Sequence, residues 1–361
     1  MEQLGIVGLA NAGKSSLLNA LTRAGAEVGA HAFSSKGATV GVASVPDPRL
    51  APLAEMSKSQ KIVPATCQFV DIAGLVRGAS RGEGLGNQFL GHLREVDALC
   101  YVLRVFEDDN VSHPEGKVDP VADLETLETE LCLADLQSVE KAIERLRKQA
   151  RGHDKEAASA VTAHERATEI LSDGVPLYRV ADAELSRGLA SSFLLTDKPV
   201  LYVLNLGEDQ VGDAVEHELR LRAVTGDAAE IVALCIQLEA EASELDDEER
   251  AEMVEQLGLG EGALARLVRA AFHKLGLQTF LTTGPKETRA WTIKAGANAA
   301  EAAGVIHTDL QKGFIRAEVI QAEELLAIGS WNAAKDHGRI RVEGRAYVMA
   351  DGDVVLVRHN A

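Results

Sequence analysis

Gly8-Leu-Ala-Asn-Ala-Gly13-Lys14-Ser15 fits the pattern G-x-x-x-x-G-K-[ST]. A short apolar run, Leu4 to Val7, precedes it and reads as a buried strand. The run Leu17-Leu-Asn-Ala-Leu-Thr-Arg-Ala-Gly25 follows and reads as a helix with Leu17, Leu18 and Leu21 on one side. Strand, glycine loop and helix together open an α/β nucleotide-binding domain. The spacing has a mechanical reason. Glycines let the backbone turn so that successive N–H groups face phosphate oxygens, and the following helix presents its N-terminus to the same anion. Lys14 is expected to reach the β- and γ-phosphates, and Ser15 to give its hydroxyl oxygen to Mg²⁺.

Further along, Asp71-Ile-Ala-Gly74 closes an apolar run from Cys67 to Val70, 56 residues after Ser15. In P-loop hydrolases an Asp at such a strand end holds the metal shell, and a Gly N–H senses the γ-phosphate. The next residue is Leu75, where a water-orienting Gln is expected; an aliphatic side chain cannot orient water by hydrogen bonding. Turnover is therefore expected to be slow unless another group or a partner completes the site. Arg77 and Arg81 stand nearby, in a loop with glycines at 78, 82, 84, 86 and 91 that suits a segment ordering on the γ-phosphate. The base-reading signal is Asn205-Leu206-Gly207-Glu208 after the strand Leu201-Tyr-Val-Leu-Asn205. In Asn-Lys-x-Asp the Asp accepts guanine N1–H and the 2-amino group. Leu replaces Lys and Glu replaces Asp here, and the longer acid overlaps the guanine amino position. The expectation is weakened guanine selectivity and adenine preference.

The chain has 361 residues, which suits two or three domains. Its 37 basic and 55 acidic residues leave a net charge of -18, unsuited to indiscriminate nucleic-acid coating. From Gln278 onward ten basic residues balance ten acidic ones, so this end is repelled least by a phosphate backbone. Cys67, Cys100, Cys132 and Cys235 form no CxxC pair, which argues against a zinc site or a disulfide framework. Reduced, buried thiols are the expectation, with Cys67 and Cys100 inside predicted strands. No apolar run approaches a membrane span, and the N-terminal stretch lacks a basic region followed by an apolar one; a cytoplasmic protein is expected. Strands are predicted at 38–45, 67–71, 98–106, 199–205 and 230–235. Residues 119–189 read as helical. Cys132, Leu136, Val139, Ile143 and Leu146 are spaced four, three, four and three, a short seam that favours an antiparallel helical hairpin over a dimeric coiled coil. The region after Gly276 reads as a small α+β domain with strands at 287–293, 315–319, 339–342 and 354–358.

With these residues in view, the chain resembles the YchF/Obg-like ATPase family over nearly its whole length. The carrying stretches are GLANAGKSS, VPDPRL (Val45 to Leu50), DIAGLVRGASRGEGLGNQFL (Asp71 to Leu90) and REVDAL (Arg94 to Leu99). NLGE, GPKETRAWTIKAG (Gly284 to Gly296) and AAGVIHTDLQKGFIRAEV (Ala302 to Val319) complete the set. The resemblance implies a Ras-like G domain with a helical insertion and a C-terminal β-grasp (TGS) domain. It implies ATP hydrolysis in preference to GTP, slow basal turnover and association with ribosomes or the large subunit. In that family a hydrophobic side chain stands where the catalytic Gln is usual, and Leu75 matches it. Asn11, Ala12, Gly13, Lys14, Ser15 and Ser16 match the ATP-contacting run, with Ala10 and Ala12 in place of the usual Pro and Val. Asn205, Leu206 and Glu208 match the base-reading positions. The first switch departs: Phe33-Ser-Ser-Lys-Gly-Ala-Thr-Val-Gly-Val42 stands where the family pattern resembles F-C-T-I-E-P-N-V-G-V. Ser35 falls on the Mg²⁺-coordinating Thr, with Thr39 the runner-up. Asn11 and the absent Gln together raise a second ion, K⁺, held as in some related GTPases.

The expected protein is a Mg²⁺-dependent ATPase with residues 1–118 and 190–277 as nucleotide-binding domain, 119–189 as helical hairpin and 278–361 as TGS domain. Lys14, Gly74 and Leu75 are its catalytic positions, and Ser15, Ser35 and Asp71 its metal positions. A monomer suffices, with no membrane or DNA partner. Two alternatives stand: a GTPase of the same fold, and a ribosome-bound adaptor whose hydrolysis is incidental. His92, His113 and His307 receive no role.

Overall fold

Six apolar or near-apolar residues, Ala98 to Leu103, and the Arg104 that follows them form a strand buried at every position, and Val200–Asn205 is buried throughout as well. Strands so completely covered belong in the middle of a parallel sheet with helices on both faces. The computed structural model describes residues 2–24, 33–35, 38–72, 85–150, 155–180, 182–242, 245 and 262–360. Two compact units emerge, one of residues 1–43 and 68–267, the other of residues 44–67 and 268–361.

The first unit carries β1 (Gln3–Val7), α1 (Lys14–Ala24), β2 (Phe33–Ser35) and β3 (Ala38–Ser44), with α2 (Leu50–Ser57) and β4 (Ile62–Val63) left to the second unit. It continues with β5 (Thr66–Ile72), α3 (Leu85–Glu95), β6 (Ala98–Arg104), α4 (Pro120–Ala150), α5 (Lys155–Ser172) and α6 (Ala183–Leu189). It ends with β7 (Val200–Asn205), α7 (Ala214–Thr225), β8 (Ile231–Leu234), α8 (Ile236–Ala242) and the start of α9 (Ala263–Lys274). The sheet order is β2-β3-β5-β1-β6-β7-β8. β1 lies between β5 and β6, parallel to both; β6, β7 and β8 run parallel, and β2 pairs antiparallel to β3. The β1 carboxyl end thus opens between two strands whose own carboxyl ends face the same way, the usual place for a ligand in such sheets.

α4 has 31 residues, about 46 Å at 1.5 Å per residue. Its heptad-spaced residues are satisfied within the chain. Cys132 and Val139 share a cluster with Ala167, Leu171, Leu177, Leu185 and Leu189, and Leu136 and Ile143 pack against it. That is the intramolecular helical pair, not a coiled-coil seam left open for a second chain.

The second unit is a sheet of order β12-β11-β13-β9-β10-β4. Its strands are β9 (Leu277–Thr283), β10 (Thr288–Lys294), β11 (Phe314–Gln321), β12 (Arg341–Glu343) and β13 (Asp353–His359). Helices α10 (Ala299–Ile306), α11 (Thr308–Lys312), α12 (Ala322–Ile328) and α13 (Trp331–Asp336) join them. Phe280, Ala303, Phe314, Val319, Met349 and Val355 fill its core. The boundary differs from the sequence expectation on two counts. β9 begins at Leu277, in a stretch outside the strands that the sequence predicts. The stretch 44–67, expected in the nucleotide-binding part, groups with the C-terminal residues. The reason is Val45-Pro-Asp-Pro-Arg-Leu50. Asp47 accepts hydrogen bonds from the Arg49 amide and from its Nε, at 3.0 and 2.8 Å. The same guanidinium reaches Asp351 at 2.8 Å and Thr279 Oγ1 at 3.1 Å. Asp351 also takes the Thr279 N–H at 2.9 Å. Burial pushes the Asp351 carboxyl up, yet the Thr279 N–H and Arg49 hold it below the ordinary carboxylate range. The motif is a clasp.

Candidate nucleotide site

β1 stops at Val7 because the next residues leave the sheet to make the loop. Gly8 passes so close to β6 that a methyl group there would lie 2.5 Å from the Val102 carbonyl oxygen. Two residues adopt left-handed backbone, Asn11 at φ 63° and Gly13 at φ 100°. Asn is the side-chain-bearing residue best suited to that region and Gly the one with no penalty. α1 then begins at Lys14 with no acidic residue in its first turn. A carboxylate there would compete with an anion for the helix end.

Lys14 is 7% exposed and its Nζ donates to the Leu9 carbonyl at 2.7 Å. Burial lowers its pKa and Asp71 opposes that. The ammonium is therefore held over the loop by one of the loop's own carbonyls. Ser15 Oγ donates to Asp71 Oδ2 at 2.6 Å, so the structure brings together two of the three predicted metal positions. The other Asp71 oxygen, Oδ1, is buried without a hydrogen-bond partner among the described residues. A buried orphan acceptor beside a serine hydroxyl is a donor set of hard oxygens, which fits Mg²⁺ or a water in its shell. Ser35 is at the end of β2, in register with Ala38; its side chain lies outside the described part. Thr39 is exposed on β3. Gly74, Leu75, Arg77 and Arg81 lie outside the described residues.

Asn205 ends β7, and its buried amide is tied at both ends. Nδ2 donates to the Ala12 carbonyl at 3.0 Å, and Oδ1 accepts from the Ile236 N–H at 3.4 Å. This residue joins the phosphate loop to the β8–α8 turn. A methyl at Gly13 would come within 2.4 Å of Nδ2. Leu206 is 2% exposed and belongs to the core, and its N–H is taken by the Leu234 carbonyl at 2.9 Å. Glu208 is exposed. Ser16 is exposed on α1, and Ala12 is buried.

Sequence reasoning missed a set of residues between β6 and α4. Arg104 closes β6, and Phe106 stacks under its guanidinium at 4.3 Å. The Ser112 carbonyl takes the Asn11 side chain at 3.0 Å. His113 meets Asp123 of α4 at 3.1 Å. The one available signal was the basic residue ending an otherwise apolar run.

The first 147 residues or so of this geometry coincide with a protein-family model. MMR_HSR1, described as 50S ribosome-binding GTPase, matches residues 3–149. YchF-GTPase_C, described as a protein of unknown function (DUF933), matches residues 277–360. The ribosome-binding ATPase YchF of Bacillus subtilis (strain 168) is 46% identical over 360 residues, 99% of this chain and 98% of that protein. The chain belongs to the YchF family. The Haemophilus influenzae ribosome-binding ATPase YchF is likewise 46% identical, over 99% of this chain and 98% of its own length. A solved structure of the Schizosaccharomyces pombe YchF GTPase superposes with a TM-score of 0.86 at 32% identity, covering 99% of this chain and 97% of that one. The fold is accordingly the α/β P-loop G domain with the YchF C-terminal domain. The names of these relatives divide between ATPase and GTPase.

Proposed function

We propose that this YchF-family protein is a Mg²⁺-dependent ATPase, slow on its own, whose nucleotide state governs association with the ribosome or its large subunit. The observation that carries the choice of ATP is Asn205-Leu206-Gly207-Glu208. A guanine-reading Lys is replaced by a leucine sunk into the core, and the Asp by a longer, exposed acid. Calorimetric titration with ATP and GTP, each with Mg²⁺, tests it. ATP binding at least tenfold tighter, about 1.4 kcal/mol, supports the reading; GTP binding as well or better ends it and favours a GTPase of the same fold.

Each residue has a defined part in this reading. Lys14 and the loop N–H groups balance phosphate charge as it shifts in the transition state. Ser15, Asp71 and Ser35 would hold Mg²⁺, which supplies charge neutralisation on the β- and γ-phosphates. Gly74 senses the γ-phosphate, and Leu75 offers the attacking water no hydrogen-bonding group, so the water is placed without a side-chain base. Asn11 is the candidate for K⁺. Because a carbonyl accepts only from the amide nitrogen, the Ser112 contact commits Nδ2 and leaves Oδ1 for an ion. Equal rates in K⁺ and Na⁺ would remove that ion from the account.

Transmission to a partner runs through α3, the next described element after Asp71 and Ile72. Arg94 near its end donates to Ser138 of α4 at 2.7 Å, and Lys198 caps the Arg94 and Val96 carbonyls. The hairpin (119–189) and the C-terminal TGS domain (278–361) are the partner-facing parts, and the protein works as a cytoplasmic monomer. A Lys14→Ala variant that associates with ribosomes as the wild type does would favour the adaptor alternative instead.

A further inference from the structure

Arg104 is 1% exposed. A guanidinium so thoroughly removed from water ordinarily sits against a carboxylate. Its described hydrogen bonds go instead to two main-chain carbonyls, Nε to Phe106 at 3.1 Å and a terminal nitrogen to Ser112 at 3.4 Å. The Phe106 ring lies under the cation. Both acceptors are in the segment that leaves β6, so the side chain folds that segment back on the strand end.

The segment so held touches the nucleotide site at two places. At one end, Val105 and Phe106 donate their N–H groups to the Asn205 carbonyl at 2.9 and 3.2 Å. Asn205 is also the strand partner of Arg104 across β6 and β7. At the other end, the Ser112 carbonyl that receives Arg104 also receives Asn11 Nδ2. Asn11 is one of the two left-handed residues of the phosphate loop. One buried cation therefore spans the base-reading strand end and the phosphate loop through a single doubly used carbonyl.

We infer that Arg104 is a positioning residue for the nucleotide: it fixes the Ser112 carbonyl, which in turn fixes the Asn11 side chain and the loop conformation that binds phosphate. The inference rests on the nucleotide-hydrolase reading above but not on which base is read. A lysine does not reproduce the arginine here: its ammonium can donate to carbonyls, but it has no planar group to lie flat on the Phe106 ring while holding the fork geometry of Nε and the terminal nitrogen. Neither does glutamine, which is too short and brings an acceptor toward two acceptors.

The test is a double-mutant cycle on the full chain. Arg104→Gln, Arg104→Lys, Asn11→Ala and the Asn11→Ala combinations are compared for KM and kcat with Mg²⁺ and whichever of ATP or GTP the wild type hydrolyses. Nucleotide Kd by calorimetry and the thermal midpoint complete the set. Displacement of the loop by a fraction of an ångström to 1 Å is expected to cost about 10- to 100-fold in kcat/KM. Arg104→Gln should raise KM and Kd about tenfold, and Arg104→Lys should recover less than half of the loss. Asn11→Ala added to either should change KM less than twofold further, because both act through the same carbonyl. A purely structural Arg104 would lower the midpoint and leave KM and Kd unmoved. That result overturns the proposal, as does full recovery by Lys or an additive cycle. Should Arg104→Gln fail to fold, Arg104→Lys with and without Asn11→Ala decides the same point. A wild type that hydrolyses neither nucleotide refutes the functional reading, while the Kd cycle still judges Arg104.

Discussion

Gly13→Ala and Asn205→Ala should each damage the phosphate loop, and together they should damage it less than their sum. The alanine at 13 meets two penalties. Its φ of 100° is foreign to an L side chain, worth about 1–2 kcal/mol. Its methyl group would sit 2.4 Å from Asn205 Nδ2, which pushes that amide off the Ala12 carbonyl and leaves a buried polar group unpaired, about 1–3 kcal/mol. Asn205→Ala loses the same bond to Ala12 and the longer one from Ile236, about 2–4 kcal/mol in all. In the double variant the clash has no partner and only the backbone penalty is added. The coupling is therefore expected to be about 1–3 kcal/mol, the portion both single changes share. Urea unfolding of the first unit reads it directly. The signal must be circular dichroism, because both tryptophans, Trp291 and Trp331, lie in the second unit. Tryptophan fluorescence then serves as the internal control and should show an unchanged second transition. Additivity within about 0.5 kcal/mol would refute the claim that Gly13 is there to make room for the Asn205 amide.

Asp71→Asn keeps the hydrogen bond available to Ser15 but removes the charge beside the orphan oxygen; the Mg²⁺ concentration giving half-maximal hydrolysis should rise at least about tenfold, and an unchanged metal titration would remove Asp71 from the metal site. Arg49→Ala opens the clasp in the second unit and should destabilise it by about 2–3 kcal/mol, read by tryptophan fluorescence during unfolding. Because Asp351 is held below the ordinary carboxylate range, its contribution is full above that range and lost as pH falls through the depressed value. The wild-type second unit should thus lose stability in acid, and Arg49→Ala should show a flatter acid limb. Leu206→Lys, made to restore the guanine-reading motif, should destabilise the first unit by at least about 2 kcal/mol because it buries an ammonium in the core, whereas Glu208→Asp at its exposed position should fold normally and narrow the ATP-to-GTP affinity ratio.

Much of this was legible before any coordinates. Gly8 to Ser15 announced the strand, loop and helix, and Cys67 to Asp71 announced the strand whose end meets Ser15. In both cases the chemistry is local: an anion site needs a particular backbone over eight residues, and only certain residues allow it. The heptad spacing from Cys132 to Leu146 located α4 for the same reason, since burial of one helix face leaves a period in the chain. β9 went unmarked because a strand beginning directly after a helix, with Gln278 and Thr279 near its start, has no clean alternation to show.

What the residues determined alone was the set of groups that could touch a phosphate, a metal and a base. Their division of labour came only with the tertiary structure. Asn205 matches a base-reading position, and the tertiary structure adds that its side chain joins the phosphate loop to a turn beyond β8. Val45 to Leu50 had served as a mark of resemblance and proved to be a clasp closed by Asp351, 302 residues beyond Arg49. Arg104 carried almost no signal, because its partners are the carbonyls of Phe106 and Ser112, and a main-chain acceptor has no letter in the sequence. Local conformational demands are written in residue types. Contacts between distant side chains and anonymous backbone depend on the path of the whole chain, and that path exists only once it has folded.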